Sequence, residues 1–315
     1  MYSNGRMKTK EVPIPVISVG NITLGGTGKT PIVERLSMKL KAFGFNPGIA
    51  TRGYKRKRKG TFVVDIEKDT AQEVGDEAFM LAKKTKLPVL VGVDRAEAIE
   101  QGMKSFRIDV ALLDDGFQSK KIKKDMEILV LSGSDRKSEE RLFPLGPYRE
   151  SPAGIRRADV ILASKGMAGG VATGYDEGIP VFEMRYKPAY LYNLKKDMIA
   201  HYNYIKGRKV LAFSGLGDNQ SFFKLLSEIG ADVVHEIPRP DHYAYKKKDI
   251  ATLSSFKGVE IIVTTEKDAV KIAGMDPPEN LFYLAIDVVI DREEELLKRI
   301  VERLKSTEAG RIAYA

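Results

Sequence analysis

The 315-residue sequence has no cysteine, no tryptophan and only three histidines. The lack of cysteine excludes disulfide bonds, thiolate nucleophiles and cysteine-held zinc or iron–sulfur sites, and it is typical of proteins that work in a reducing compartment. Long apolar runs are also absent, because stretches such as 87–93 are much shorter than the roughly 20 residues of a membrane-spanning helix. The sequence therefore predicts neither a membrane span nor a signal peptide.

Positive charge is in excess, since 52 Lys and Arg against 43 Asp and Glu give a formal net charge of +9. With 43% hydrophobic and 30% charged residues, the composition is typical of a globular protein with a sizeable core. The excess fits partners that carry phosphates, nucleic acid or an anionic lipid surface. Charge alone does not choose among these partners.

The first part of the chain predicts a strand, a glycine-rich loop and a helix in succession. Residues 12–19 form a β-branched run, and residues 30–43 place Ile32, Val33, Leu36 and Leu40 on one helical face. Further short apolar strands are predicted at 87–93, 110–113, 128–131 and 160–163, alternating with helices such as 72–85 and 95–104. This alternation predicts an α/β fold with a mostly parallel sheet covered by helices on both faces.

A second, smaller α/β unit is predicted after the glycine-rich stretch 167–178. A strand is expected at 181–192, and a new series of strands and helices begins at residue 209. We expect a core lobe over 1–180, onto which the final helix within 292–315 packs back, and a smaller C-terminal lobe over 181–291 that closes a cleft.

The segment TLGGTGKT, residues 23–30, lies between the first predicted strand and helix and matches a P-loop except for Thr23 at its first position. In such a loop Gly25, Gly26 and Gly28 let backbone N–H groups surround phosphate oxygens. Lys29 reaches the β- and γ-phosphates, and the Thr30 hydroxyl can bind Mg²⁺. Thr23 and Thr27 complete the segment, and the alternative is an ordinary glycine-rich turn.

Two carboxylates, Asp114 and Asp115, end the apolar strand that precedes them. In P-loop proteins an aspartate at this place holds Mg²⁺ directly or through water, although Asp-Asp-Gly also reads as a turn. Asp94 ends a neighbouring strand and could be a general base or simply the N-cap of the next helix; spacing leaves both open. His242 lies in a polar loop that could reach the cleft or could stay on the surface.

Lysine and arginine runs occur at 52–59, 120–124 and 246–248. The side chains of such runs usually lie on the solvent-exposed surface and have no specific role. The first one follows the strand-like residues 48–50, so Tyr54 and its neighbours could cover a triphosphate. No aromatic-interleaved pattern accompanies the runs, and nucleic acid is therefore not expected as a partner.

Taken together, these motifs resemble the tetraacyldisaccharide 4′-kinase family of lipid A biosynthesis, over about residues 12–270. The matching blocks are VGNITLGGTGKTP (19–31), TRGYK (51–55), GDE (75–77), VDR (93–95), LDDGFQ (113–118), PLG (144–146), RE (149–150), RAD (157–159), FSGLGDN (213–219), PDHY (240–243) and TTEKD (264–268). The resemblance implies a kinase that transfers the γ-phosphate of ATP to the 4′-hydroxyl of an acylated glucosamine disaccharide 1-phosphate, at the cytoplasmic face of the inner membrane.

The resemblance also implies roles for individual residues. It makes Asp94 the catalytic base, assisted by His242, and Lys29 the residue that neutralises charge on the transferred phosphate. It places Thr30, Glu150 and one or both of Asp114 and Asp115 around Mg²⁺, and Tyr54 and Arg149 beside the nucleotide.

The chain departs from the family pattern at Ser119, Lys120 and Ser151, where His, Arg and Pro are usual. Family members usually begin with an apolar membrane-anchoring helix, which this sequence does not show. Either the start is late, or the segment was removed, or this version docks peripherally; we expect peripheral docking of the basic surface on the anionic inner membrane.

Two other functions compete with a lipid kinase. A partition or chaperone ATPase would carry a second lysine where this P-loop has Leu24. A nucleotide-switched, membrane-associated P-loop ATPase that binds a partner is the other alternative. Phosphate transfer to a lipid acceptor rather than to water separates them.

Overall fold

A computed structural model describes residues 9–24, 28–131, 141–164 and 178–313, with side chains described up to residue 307. The first elements in chain order are β1 (Val16–Gly20), α1 (Lys29–Ala42), β2 (Pro47–Thr51), β3 (Phe62–Val63), α2 (Ala71–Val74), α3 (Asp76–Thr85), β4 (Val89–Val91), α4 (Arg95–Ser105), β5 (Val110–Asp114), β6 (Met126–Leu131) and β7 (Val160–Ser164). The later elements are β8 (Val181–Asn193), β9 (Met198–His201), β10 (Lys209–Ser214), α5 (Asn219–Glu228), β11 (Asp232–Pro238), α6 (Lys247–Leu253), β12 (Ile261–Thr265), α7 (Glu266–Ile272), β13 (Leu281–Ile290) and α8 (Glu293–Ala313).

All described strands belong to one 13-stranded sheet with the order β11-β10-β12-β13-β8-β7-β6-β1-β5-β2-β4-β3, and β9 pairs with β8. Most neighbouring pairs are parallel, whereas β3–β4, β8–β9 and β8–β13 are antiparallel. The carboxyl ends of β1 and β5 are adjacent in the sheet, since Val19 pairs with Asp114. Ligands in such sheets bind beyond these strand ends.

Alternate residues of each central strand enter different cores, as expected for a sheet buried on both faces. Val110 and Leu112 of β5 pack in a core with side chains of α1, α3 and α8, whereas Ala111 and Leu113 pack in a core with α4. Around β10, β12 and β13, one core includes side chains of α5 and another includes side chains of α6 and α7. The expected α/β sheet with helices on both faces is therefore present.

Strands β8 and β13 join the two parts of the sheet through a long antiparallel pair, in which Phe282 lies opposite Asn193 and Ile290 opposite Met184. β13 lies outside the elements predicted from the sequence, although its apolar run 281–290 contains the signal of a buried strand. Side chains of α8 pack in the core that contains those of α1. No helix among the described residues is long and apolar enough to cross a membrane.

Candidate active site

The start of α1 is built to receive an anion. Gly28 adopts a left-handed conformation (φ 69°) just before the helix begins at Lys29, and the first turn contains no acidic residue. The free N–H groups and partial positive charge of a helix N-terminus favour phosphate there. Gly25, Gly26 and Thr27 lie outside the described residues, whereas Thr23 is buried and forms a bridge with Tyr148.

Tyr186 of β8 packs directly against the end of the P-loop. Its hydroxyl donates a hydrogen bond to the Gly28 carbonyl oxygen at 3.0 Å. A Cβ atom added to Gly28 would lie 2.2 Å from that hydroxyl oxygen, and the positive φ would also strain any larger residue. Burial raises the pKa of the Tyr186 hydroxyl, so it remains a hydrogen-bond donor at neutral pH.

Asp115 connects the P-loop lysine to a second cation. The Lys29 Nζ lies 3.3 Å from its Oδ1, and the Arg149 Nη1 lies 2.7 Å from its Oδ2. Lys29 also donates to the Asn21 side chain at 3.2 Å. Burial raises the pKa of Asp115, but the Lys29 and Arg149 charges outweigh burial and hold it below the usual value. Asp115 is therefore an ionised carboxylate that positions two cations.

Asp114 differs from its neighbour because it is buried, with 2% of its surface exposed. Burial raises its pKa to about 7, with further contributions from Glu77 and Asp115. Among the described residues, no hydrogen-bond donor contacts its carboxylate. A buried carboxylate without a donor is a good ligand for a hard divalent cation, which would compensate its charge.

Glu150 is held by two side chains. The Arg157 Nη1 lies 2.9 Å from its Oε2, and the Gln118 Nε2 donates to its Oε1 at 2.9 Å. Burial raises the pKa of Glu150, whereas these two contacts lower it below its usual value. In the part of the chain that the structure describes, no three acidic or histidine side chains are close enough together to form a metal site by themselves. These residues fit Mg²⁺ only if they supply a few of its ligands and phosphate and water complete its coordination.

Asp94 caps α4. Its Oδ1 accepts hydrogen bonds from the backbone N–H groups of Ala96 and Glu97, and its Oδ2 accepts one from Lys10 at 3.0 Å. Burial raises its pKa, but these bonds lower it below the usual value. Of the two roles left open by the sequence, the geometry shows the N-cap. No hydrogen bond or ion pair joins Asp94 to His242 within the described residues.

His242 pairs with a different aspartate. Its Nδ1 lies 3.1 Å from an Asp76 carboxylate oxygen, and its ring packs edge-on against Tyr54 with centroids 4.9 Å apart. The ring is mostly buried, and its backbone is held in the left-handed region at φ 58°. Backbone strain of this kind is common at functional sites. Tyr54, expected beside a nucleotide, thus lies against the histidine.

Asp76 reaches His242 because the predicted helix 72–85 is broken at Gly75. This glycine has φ 99°, and a Cβ atom on it would lie 3.1 Å from the Tyr54 carbonyl oxygen. The break makes Asp76 the first residue of α3. Burial raises its pKa, but His242, Lys271 and Lys267 together lower it below the usual value. Asp76 belongs to the GDE block but had no assigned role, and only its contact with His242 reveals one.

Glu77 lies near both Asp114 and Lys267, and the buried Arg95 lies near Asp114 and Asp115. Glu77 is close enough to raise the pKa of Asp114, and its Oε1 lies 3.2 Å from the Lys267 Nζ. Arg95 is 7% exposed and donates to the Gly92 carbonyl. Burial and the nearby Arg52 lower the Arg95 pKa to about 10, while Asp114 and Asp115 oppose the change. Arg95 is therefore a buried cation beside the carboxylates of the site, with the exposed Arg52 nearby.

The sheet is mostly parallel, a glycine-rich loop joins β1 to α1, and Lys29 of this loop faces Asp115, directly after β5. These features define a P-loop kinase. The tetraacyldisaccharide-1-P 4′-kinase family model matches residues 1–305. The chain belongs to this family.

Individual relatives agree with the family assignment. A tetraacyldisaccharide 4′-kinase from Aquifex aeolicus is 38% identical over 95% of this chain and 91% of its own length. One from Shewanella oneidensis is 34% identical over 99% of this chain and 88% of its own. A crystal structure of LpxK from Aquifex aeolicus in complex with ATP superposes with a TM-score of 0.77, at 37% identity over 94% of this chain and 90% of that one.

These findings confirm the expected P-loop kinase fold and the expected lipid kinase of lipid A biosynthesis. They favour the kinase over a nucleotide-switched ATPase that binds a partner.

Proposed function

We propose that this kinase transfers the γ-phosphate of ATP to the 4′-hydroxyl of an acylated glucosamine disaccharide 1-phosphate. The carrying observation is that Glu77 lies near two groups of charges. Glu77 and Lys29 both act on the pKa of Asp114, and Glu77 also contacts Lys267, which contacts His242 of the Asp76–His242 pair. A hydroxyl placed between these two groups would face both a phosphate-binding group and a proton acceptor. This arrangement is what phosphoryl transfer to an alcohol requires.

The donor side follows from the P-loop. The N–H groups at the start of α1 and the Lys29 ammonium bind the phosphates, and Lys29 neutralises the charge that spreads over the transferred group. Asp115 holds Lys29 and Arg149 in place, since it contacts both. We propose Arg149 and Tyr54 beside the nucleotide, with the ring of Tyr54 able to leave His242 because 58% of its surface is exposed.

Among the four proposed Mg²⁺ ligands, Asp114 and the Thr30 hydroxyl fit best, because no described donor contacts Asp114 and Thr30 lies in the first turn of α1. Glu150 contributes from the outer side, where Arg157 and Gln118 orient it. The cation would supply charge neutralisation on the phosphate oxygens. Asp115 serves as the partner of the cations rather than as the direct ligand.

For the proton acceptor, the geometry favours Asp76 over Asp94. The Asp94 carboxylate accepts three hydrogen bonds from its helix and Lys10, whereas Asp76 is ionised, mostly buried and oriented by His242. A sugar hydroxyl has a high pKa, so the base only needs to accept its proton as the new O–P bond forms. Asp94 remains the candidate from the sequence, and the two are compared experimentally below.

The acceptor carries a phosphate and acyl chains, and both suit this molecule. Arg52 and Arg95 provide excess positive charge for an anionic sugar phosphate. The net charge of +9 suits an anionic membrane surface, on which we propose that the protein docks peripherally at the cytoplasmic face of the inner membrane. The lobes 1–180 with 292–315 and 181–291 remain a proposal for the domain division, with α3 and α7 in contact between them.

The test is phosphate transfer from γ-labelled ATP, with a monophosphorylated acylated glucosamine disaccharide in mixed micelles as acceptor. We expect label in a bisphosphorylated lipid, and loss of that product in Lys29→Met. Release of labelled phosphate into water at the same rate with and without the lipid would contradict the proposal.

A further inference from the structure

The Lys267 ammonium occupies the centre of the contacts around His242. Its Nζ lies 3.1 Å from the His242 Nε2, 3.1 Å from an Asp241 carboxylate oxygen and 3.2 Å from the Glu77 Oε1. The lysine side chain is only 15% exposed. Its three N–H donors thus have three partners, one of which is the imidazole.

An ammonium group donates hydrogen bonds and accepts none. The His242 Nε2 must therefore be the acceptor, without a proton, and the ring proton lies on Nδ1, from which it is donated to Asp76 at 3.1 Å. We infer that Lys267 is a positioning residue that fixes the His242 tautomer, so that the Nδ1–H group always donates its hydrogen bond to Asp76. This inference rests on the proposed role of Asp76 and His242.

The surrounding charges show why a cation is needed at this point. Asp76 contacts Nδ1, an Asp241 oxygen lies 3.7 Å from Nε2, and Glu77 binds the same lysine. Two further cations lie nearby: Lys271 is 3.7 Å from Asp76, and the Lys55 Nζ donates to the Asp241 carbonyl oxygen at 3.3 Å. The Tyr54 ring faces the imidazole. Without Lys267, Nε2 would lose the donor that holds it as an acceptor, and a ring proton on Nε2 would face Asp241 at 3.7 Å.

Lys267 is charged at neutral pH, because Glu77 and Asp241 raise its pKa above the usual value although burial lowers it. A doubly protonated His242 ring would form a full ion pair with Asp76 and reduce the basicity of the Asp76 carboxylate. With the neutral tautomer, one Asp76 oxygen accepts a hydrogen bond from Nδ1–H, and the carboxylate can still accept the proton of the sugar hydroxyl. The sugar oxygen then bonds to the γ-phosphorus as the bond between that phosphorus and ADP breaks.

Nitrogen NMR on the full-length, ¹⁵N-histidine-labelled protein tests the tautomer directly. The chain has only three histidines, and His242→Gln identifies the signals of His242. We expect Nδ1 protonated and Nε2 unprotonated at pH 7 in the wild type. Lys267→Met should protonate Nε2 or mix the tautomers, and Lys267→Arg should restore the wild-type pattern, because arginine also only donates. A wild-type Nε2 that already carries a proton, or an unchanged spectrum in Lys267→Met, would overturn the inference.

Kinetics give the second readout. Lys267→Met should lower kcat roughly 10- to 100-fold, part of what a positioned base contributes, while the KM for ATP changes less than about twofold. Lys84→Met is the matched control, since Lys84 of α3 also binds two carboxylates, Glu34 of α1 and Glu266 of α7. It should leave the His242 spectrum and kcat unchanged; equal losses in both variants would mean a structural role only. The spectrum needs no substrate, so the tautomer assignment stands or fails independently of the lipid kinase assay.

Discussion

The Tyr186 hydroxyl and the Gly28 carbonyl oxygen are joined by a 3.0 Å hydrogen bond that ties β8 to the P-loop. β8 also forms the long antiparallel pair with β13, so this bond links the phosphate-binding loop to the middle of the sheet. The contact orients the last loop residue before the helix N-terminus that binds phosphate.

Removing this hydroxyl should weaken nucleotide binding. A net hydrogen bond is worth about 0.5–1.5 kcal/mol, so Tyr186→Phe should raise the Kd for ATP about 2- to 10-fold. Titration calorimetry measures this directly. Tyr190→Phe, on the same strand but with its ring tilted against that of Tyr283, is the control and should bind ATP normally. Equal affinities in wild type and Tyr186→Phe would show that the bond is not used.

Asparagine substitutions compare the two candidate bases. Asp76→Asn should lower kcat by about 10²- to 10⁴-fold with little effect on the KM for ATP, because it removes the proton acceptor and keeps the shape. Asp94→Asn should keep most activity, because asparagine caps a helix as well as aspartate does. The reverse order of the two kcat values would make Asp94 the base.

Alanine at the same cap should act on stability instead. Asp94→Ala removes the side-chain acceptor for Ala96 and Glu97 and should cost about 0.5–2 kcal/mol of unfolding free energy. Urea unfolding measures the loss, and Asp94→Asn is the control. Unchanged stability in Asp94→Ala would mean that the cap contributes nothing measurable.

The buried Asp114 makes the metal-free protein less stable as pH rises. Its folded-state pKa of about 7 exceeds the usual 3.8, so the folded state holds a proton that the unfolded chain has lost. Its contribution is fully present below pH about 4 and is lost as pH rises through about 7. Asp114→Asn, assayed with a chelator, should therefore gain on the order of 1–3 kcal/mol over wild type at pH 8 and little at pH 4. A difference that does not depend on pH would contradict this account.

Membrane docking through charge should weaken with salt. Binding to vesicles that contain anionic lipid should fall several-fold between about 0.05 and about 0.5 M NaCl, because the screening length shortens. Vesicles of neutral lipid are the control and should bind weakly at both concentrations. Salt-resistant binding would point to exposed apolar side chains such as Phe143 and Leu145, which are 66% and 78% exposed.

Local features of the site could be predicted from the sequence, and long-range ones could not. The P-loop, its helix and the two aspartates that end β5 depend on residues close in sequence, whose patterns are specific. The contact of Asp76 with His242 joins positions 166 residues apart and depends on how α3 and the 240–243 loop pack. Asp94 shows the opposite problem, because a strand-end aspartate has the same pattern whether it caps a helix or accepts a proton. β13 was not among the predicted elements although its apolar run contains a strand signal, and its antiparallel pairing with β8 is a long-range feature that no local pattern encodes.

The packing of α8 sets an order for folding during synthesis. Leu296, Leu297, Ile300 and Leu304 belong to the same core as Ile32 and Leu36 of the P-loop helix. Chains grow from the N-terminus, and domains usually fold as they emerge from the ribosome. Here the phosphate-binding half cannot complete its core until nearly the whole chain has been made. The nascent protein must therefore keep exposed apolar surface on its first strands and helices through most of translation, and a ribosome that stops before α8 would release a chain that chaperones bind rather than an active fragment.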